Sequence, residues 1–89
     1  MSKLGVYFLR CKNGRYYIGS TNDLERRFDE HGRGHVRATR DVRPLEVVFF
    51  QSCDSIKYAR QLELRLKKLK RRDIIERIII EKRIDIMRP

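Results

Sequence analysis

Apolar and polar positions change period several times along this chain. Leu4 to Cys11 (LGVYFLRC) is rich in β-branched and aromatic residues and predicts a strand. Asn13-Gly14 is a strong hairpin signal, and Arg15 to Ser20 (RYYIGS) predicts the returning strand. Register decides which side chains meet. A two-residue turn on Asn13-Gly14 sets Lys12 opposite Arg15 and sends Tyr7 and Tyr17 to opposite faces. A three-residue loop, Lys12-Asn13-Gly14, with Gly14 in the left-handed region, sets Cys11 opposite Arg15. Tyr7 then faces Gly19, Tyr17 faces Leu9, and both rings share one side of the sheet. The three-residue loop is the expectation.

The period then becomes helical. Asn22 with Glu25 resembles a capping box for a helix over 23–31. Leu24, Phe28 and His31 form its stripe, Arg27 and His31 are one turn apart, and Gly32 and Gly34 end it. His35 to Arg43 (HVRATRDVR) predicts a polar, basic loop. Leu45 to Ser52 (LEVVFFQS), after Pro44, predicts a strand covered on both faces. Asp54 or Ser55 caps a helix over 55–70 with Tyr58, Leu62, Leu66 and Leu69 as its stripe. Glu63 and Lys67 stand one turn apart on another face. The isoleucine-rich run 73–87 fits a helix through Ile74, Ile75, Ile78 and Ile79, and β-branching leaves it dependent on packing. Ile84, Asp85 and Ile86 alternate and fit extended chain. The fold class is α/β (α+β): a three-stranded antiparallel or mixed sheet flanked by helices, in order β-β-α-β-α-α. Residues 1–89 read as a single domain, with a motif core over 4–70 and a helical segment over 73–87.

Composition narrows the partners. A chain of 89 residues buries about 60–65% of its unfolded surface, enough for one modest core. No run approaches the ~20 apolar residues of a membrane span, and the run after Met1-Ser2-Lys3 is too short for a signal peptide. A cytoplasmic location is the expectation. Cys11 and Cys53 form no CxxC pair, which excludes a zinc ribbon or thioredoxin-type motif and leaves both reduced. Lys and Arg total 22 against 12 Asp and Glu, a net charge of +10. Such a surface attracts nucleic acid ahead of an anionic membrane, because arginine predominates in the first half and suits two-pronged phosphate contacts.

Gly5-Val6-Tyr7, nine residues, then Tyr17-Ile18-Gly19 resembles the signature of the GIY-YIG nuclease superfamily, with Val6 departing from the isoleucine of the name. Arg27, ten residues after Tyr17, matches the family arginine, His31 a histidine of many members, and Glu63 the metal-binding glutamate. The resemblance runs from Gly5 to about Ile79 and is closest to small stand-alone bacterial members. It implies a central first strand and a Mg²⁺- or Mn²⁺-dependent endonuclease that hydrolyses DNA, branched or single-stranded forms included, in repair or recombination. The implied catalytic set is Tyr7, Tyr17, Arg27, His31 and Glu63.

The residues bear on that chemistry directly. No acidic cluster accompanies the tyrosines, so one ion on Glu63 with waters fits better than a two-metal site. Tyr7 is the candidate base, Tyr17 orients water or phosphate, Arg27 stabilises the transition state, and His31 supports Tyr7 or moves its proton. Arg27 and a metal are expected to favour tyrosinate. Larger family members attach separate DNA-binding domains. Here Arg33, Arg37, Arg40 and Arg43 in the loop, with Lys67 and Lys70, are expected to contact backbone phosphates. The alternative is a nucleic-acid-binding module with little cleavage of its own, acting with a protein partner. A further reading is self-association through 74–87; monomer or weak dimer is the expected state.

Overall fold

The structure, a computed structural model, describes residues 3–84. Strand β1 (Gly5–Cys11), strand β2 (Tyr16–Thr21), helix α1 (Leu24–Gly32), a 3-10 turn (Arg40–Val42), strand β3 (Leu45–Ser52), helix α2 (Ile56–Leu69) and helix α3 (Arg72–Glu81) follow one another. The sheet order is β2-β1-β3, with both pairings antiparallel. The first strand is therefore the middle one, and β2 has a free outer edge.

The hairpin takes the three-residue loop. Cys11 N–H donates to the Arg15 carbonyl at 2.8 Å, Gly14 N–H donates to the Cys11 carbonyl at 2.9 Å, and Gly14 has φ 83°. Tyr7 consequently pairs with Gly19 and Leu9 with Tyr17. The two motif glycines then have separate packing reasons. A methyl on Gly5 would overlap the Gln51 carbonyl on β3, and one on Gly19 would overlap the Tyr7 ring and hydroxyl.

Alternation along the sheet builds two apolar layers. Val6, Phe8 and Ile18 pack with Phe49 against Ala59, Leu62 and Leu66 of α2 and Ile75 and Ile78 of α3. Tyr7 and Leu9 on the opposite face pack against Leu24 of α1, with Tyr17, Phe28, Leu45, Val47 and Phe50 around them. Strand β3 serves both layers, as its apolar run predicts. The pairing shifts by one residue between Phe8 and Leu9, so Val48 is extra, and it joins Phe49 on the α2/α3 side.

Three local expectations are corrected. Asp23, not Asn22, caps α1: its carboxylate accepts from Arg26 N–H at 3.2 Å, while Asn22 Oδ1 accepts from the Arg26 guanidinium. Thr21 Oγ1 accepts from Asp23 N–H and fixes the turn that brings Asp23 to the cap. The buried stripe of α2 is Ala59, Leu62 and Leu66, because Tyr58 and Leu69 fall on its margins and are exposed. The basic stretch 35–43 is folded rather than loose: Val36 and Thr39 are buried, and the Val42 carbonyl accepts from Lys12 N–H at 2.9 Å. Gly34, left-handed with φ 79°, sets the end of α1, where Gly34 N–H and His35 N–H donate to the His31 and Glu30 carbonyls. Ser55 caps α2, and α3 ends at a left-handed Lys82. The extended reading of 84–86 falls largely outside the described residues, as do 85–87 of the helical segment.

Candidate active site

Pairing opposite Gly19 lets the Tyr7 ring lie flat against β2 and carries its hydroxyl toward α1. There it meets two side chains one helical turn apart. His31 Nε2 is 2.9 Å from the Tyr7 oxygen, and Arg27 Nε donates to the same oxygen at 3.4 Å. Tyr17 lies beside both rings, with centroids 6.3 Å from Tyr7 and 5.0 Å from His31. Arg27 also pairs with Glu30 at 3.1 Å.

The hydrogen positions follow from what each atom can do. Arg27 can only donate, so the Tyr7 hydroxyl accepts from it and turns its own hydrogen to His31 Nε2. His31 then carries its proton on Nδ1 and donates to Thr39 Oγ1 at 2.7 Å. Both Thr39 and His31 are inaccessible to solvent. Burial, reinforced by the charge of Arg27, lowers the His31 pKa to about 4, so the ring is neutral at pH 7. Burial also raises the Tyr7 pKa to about 12, outweighing the opposing hydrogen bond from Arg27. Arg27 acts in the expected direction, toward tyrosinate, but burial outweighs it, and at pH 7 Tyr7 keeps its proton. The Arg27 guanidinium is shifted upward by its bond to Tyr7.

Glu63 approaches from the other layer. It stands on α2, beneath the opposite face of the sheet, and meets the free edge of β2 through Ser20, whose hydroxyl donates to Glu63 Oε1 at 2.5 Å. Lys67 Nζ pairs with Glu63 Oε2 at 2.6 Å and lies 5.6 Å from the Tyr17 ring centroid. The β2 edge is thus where residues from the two faces come together. Among the described residues no three His, Cys, Asp or Glu side chains cluster as a metal site. One partly exposed carboxylate, already holding a cation on one oxygen, fits a single hard ion completed by waters, as Mg²⁺ prefers. When bound, such an ion would supply charge stabilisation beside the phosphate.

The remaining sequence-predicted residues divide. Arg33 pairs with Asp29 at 2.9 Å. Arg43 is structural: it donates to the Arg40 and Gly32 carbonyls and packs on Gly34, tying the 35–43 segment to α1. Arg37 and Arg40 are exposed, and Lys70 is exposed at the end of α2. Ser20 and Thr39 were not singled out from sequence. Ser20 sits next to Thr21 at the end of β2, in a stretch that reads as a helix cap, and Thr39 lies within a run that reads as solvated loop.

The GIY-YIG catalytic domain matches residues 3–77. The chain belongs to the GIY-YIG family. That family is a nuclease superfamily whose members act on DNA and generally use a divalent metal. Relatives are small proteins called UPF0213. The chain is 38% identical over 67 residues to UPF0213 protein YazA of Bacillus subtilis, covering 74% of this chain and 68% of that one. It is 34% identical over 80 residues to a UPF0213 protein of Syntrophus aciditrophicus, covering 88% and 92%. A stretch of 44 residues is 57% identical to a UPF0213 protein of Xanthomonas campestris but spans only 43% of that protein's length. No solved structure matches. Among the described residues no helix is long and apolar enough to cross a membrane.

Proposed function

We propose that this GIY-YIG protein is a Mg²⁺-dependent endonuclease that hydrolyses DNA phosphodiester bonds, with one ion on Glu63. The supporting observation is the Tyr7 oxygen, within hydrogen-bond reach of both Arg27 and His31 and beside the β2 edge that Glu63 approaches. Arg27 binds the scissile phosphate and stabilises its developing charge. The attacking water gives its proton to the Tyr7 oxygen while the Tyr7 proton passes to His31 Nε2. His31 then has both ring N–H groups partnered, by Tyr7 and by Thr39. A phosphate at Arg27 offsets the charge that depresses the basicity of His31, so substrate itself eases this transfer. Tyr17 orients the water or the phosphate.

The test is cleavage of a panel of branched, flap and single-stranded DNA with Mg²⁺. Glu63→Ala and Arg27→Ala are expected to abolish turnover with folding intact, and retained turnover in both refutes the assignment. A second reading is a DNA-binding module with little turnover. It is favoured by the raised pKa of Tyr7 and by the single carboxylate. Calorimetric binding of DNA with no product over hours would select it.

A further inference from the structure

The polar residues of α2 that approach the β2 edge repeat at helical spacing: Arg60, Glu63, Lys67 and Lys70. Steps of three, four and three place them on one stripe beside the buried Ala59, Leu62 and Leu66. A single carboxylate interrupts a row of cations. Two clefts mark the ends of this stripe. At the start of β2, a cleft of about 450 Å³ has Arg15, Lys67, Lys70, Arg71 and Arg72 around it. Ile18, Leu66 and Ile75 line its apolar part. At the end of β2, a cleft of about 430 Å³ is bordered by Ser20, Arg26, Arg27 and Arg60. Tyr17 and Glu63 lie between the two.

Pairing tells which cations are committed. Arg71 is held by Asp73 and Arg72 by Glu76, and Arg26 donates to Asn22. Arg15, Arg60 and Lys70 have no carboxylate within ion-pair distance among the described residues. Each stands at a cleft, one pair at one end and one residue at the other.

We propose that an unpaired nucleic-acid strand lies along the free edge of β2, with Arg15 and Lys70 holding phosphates on one side of the scissile position and Arg60 on the other. The proposal rests on the reading of Tyr7, Arg27 and Glu63 as the cleavage site. The track follows a strand of six residues, about 20 Å at ~3.3 Å per residue, which suits a short run of nucleotides. Clefts of this volume take nucleotide-sized groups, and a row of cations tracking one backbone beside aromatic rings, here Tyr16 and Tyr17, is how single strands are held. The edge also presents unpaired backbone N–H groups, which donate to phosphate oxygens. Arg40 lines a different cleft, with Phe28, Arg43 and Leu45, off this track.

The experiment reads fluorescence anisotropy of a labelled thymidine oligonucleotide and of a duplex of equal length, in EDTA so that nothing is cleaved. The variant is Arg15→Gln, Arg60→Gln, Lys70→Gly. Glycine suits the left-handed φ of 49° at Lys70, so a melting curve should show a fold at least as stable at that position. Each phosphate contact on a single strand contributes about 0.7 to the slope of log K against log salt, so three losses lower it by about 2. At 0.1 M salt the affinity for the oligonucleotide should fall about 100-fold, and that for the duplex by less than tenfold. An unchanged slope, or an equal loss on both forms, overturns the proposal. Because binding is read without metal, an inactive wild-type protein would sink the cleavage reading and leave this result standing.

Discussion

Lowering the pH should destabilise this protein through one residue. The His31 pKa lies at about 4 in the fold, against 6.5 for an ordinary histidine. Above 6.5 the ring is neutral in both folded and unfolded chains, and the stability from burying it is complete. As pH falls from 6.5 to 4 the unfolded chain binds a proton that the folded one refuses, so that stability is progressively lost. The difference of about 2.5 pK units is worth about 3 kcal/mol at ~1.36 kcal/mol per unit. Against a domain stability of about 5–15 kcal/mol that is a large share. Urea unfolding of the wild type and of His31→Gln at pH 7 and pH 4 isolates it, because the shared carboxylates cancel in the comparison. Asp73, whose carboxyl is held down to about 2 by Arg71, is lost below this window. The wild type should lose about 3 kcal/mol more than the variant between the two pH values. An NMR titration placing the His31 midpoint at 6 or above, or equal losses in the two proteins, refutes the reasoning.

Gly19→Ala should push the Tyr7 ring off β2, costing about 1–3 kcal/mol of stability and most of the cleavage activity; a crystal structure with the ring unmoved contradicts this. Thr39→Val leaves the His31 Nδ1–H without a partner in a dry site, at a cost of about 1–3 kcal/mol. Nitrogen-15 spectra should then show a mixture of ring tautomers, and a single unchanged tautomer counts against the relay. Lys67→Met frees Glu63 from its ammonium partner. Mn²⁺ binding without DNA, followed by electron paramagnetic resonance, should tighten at least about twofold, the equivalent of a pair worth ~0.3–0.5 kcal/mol; no change means the lysine does not compete with the ion.

The sheet was readable because its information is local. Asn13-Gly14 and the single extra loop residue set the register, and register alone put Tyr7 against Gly19. The geometry that brings Arg27 and His31 to Tyr7 follows from spacing on one short helix. Thr39 was hidden because its role depends on a tertiary contact: a threonine among arginines reads as loop until His31 is seen behind it. Ser20 was hidden for a related reason, since its partner lies 43 positions away on the opposite layer. Arg60 was legible in principle, seven positions before Lys67 on the α2 stripe. Its meaning required knowing that α2 runs antiparallel to β2 along an open edge.

Among the described residues, the apolar cluster on the α1 side has three buried members, and Tyr7 is one of them. A ring that anchors half of the molecule is thus also asked to handle a proton. Adaptation to heat or to new substrates is constrained accordingly: the phenol can be neither trimmed without loosening the scaffold nor made more acidic without giving up the burial that raises its pKa. Tolerance for change should therefore concentrate along the outer rim, where cations can be traded without disturbing the interior.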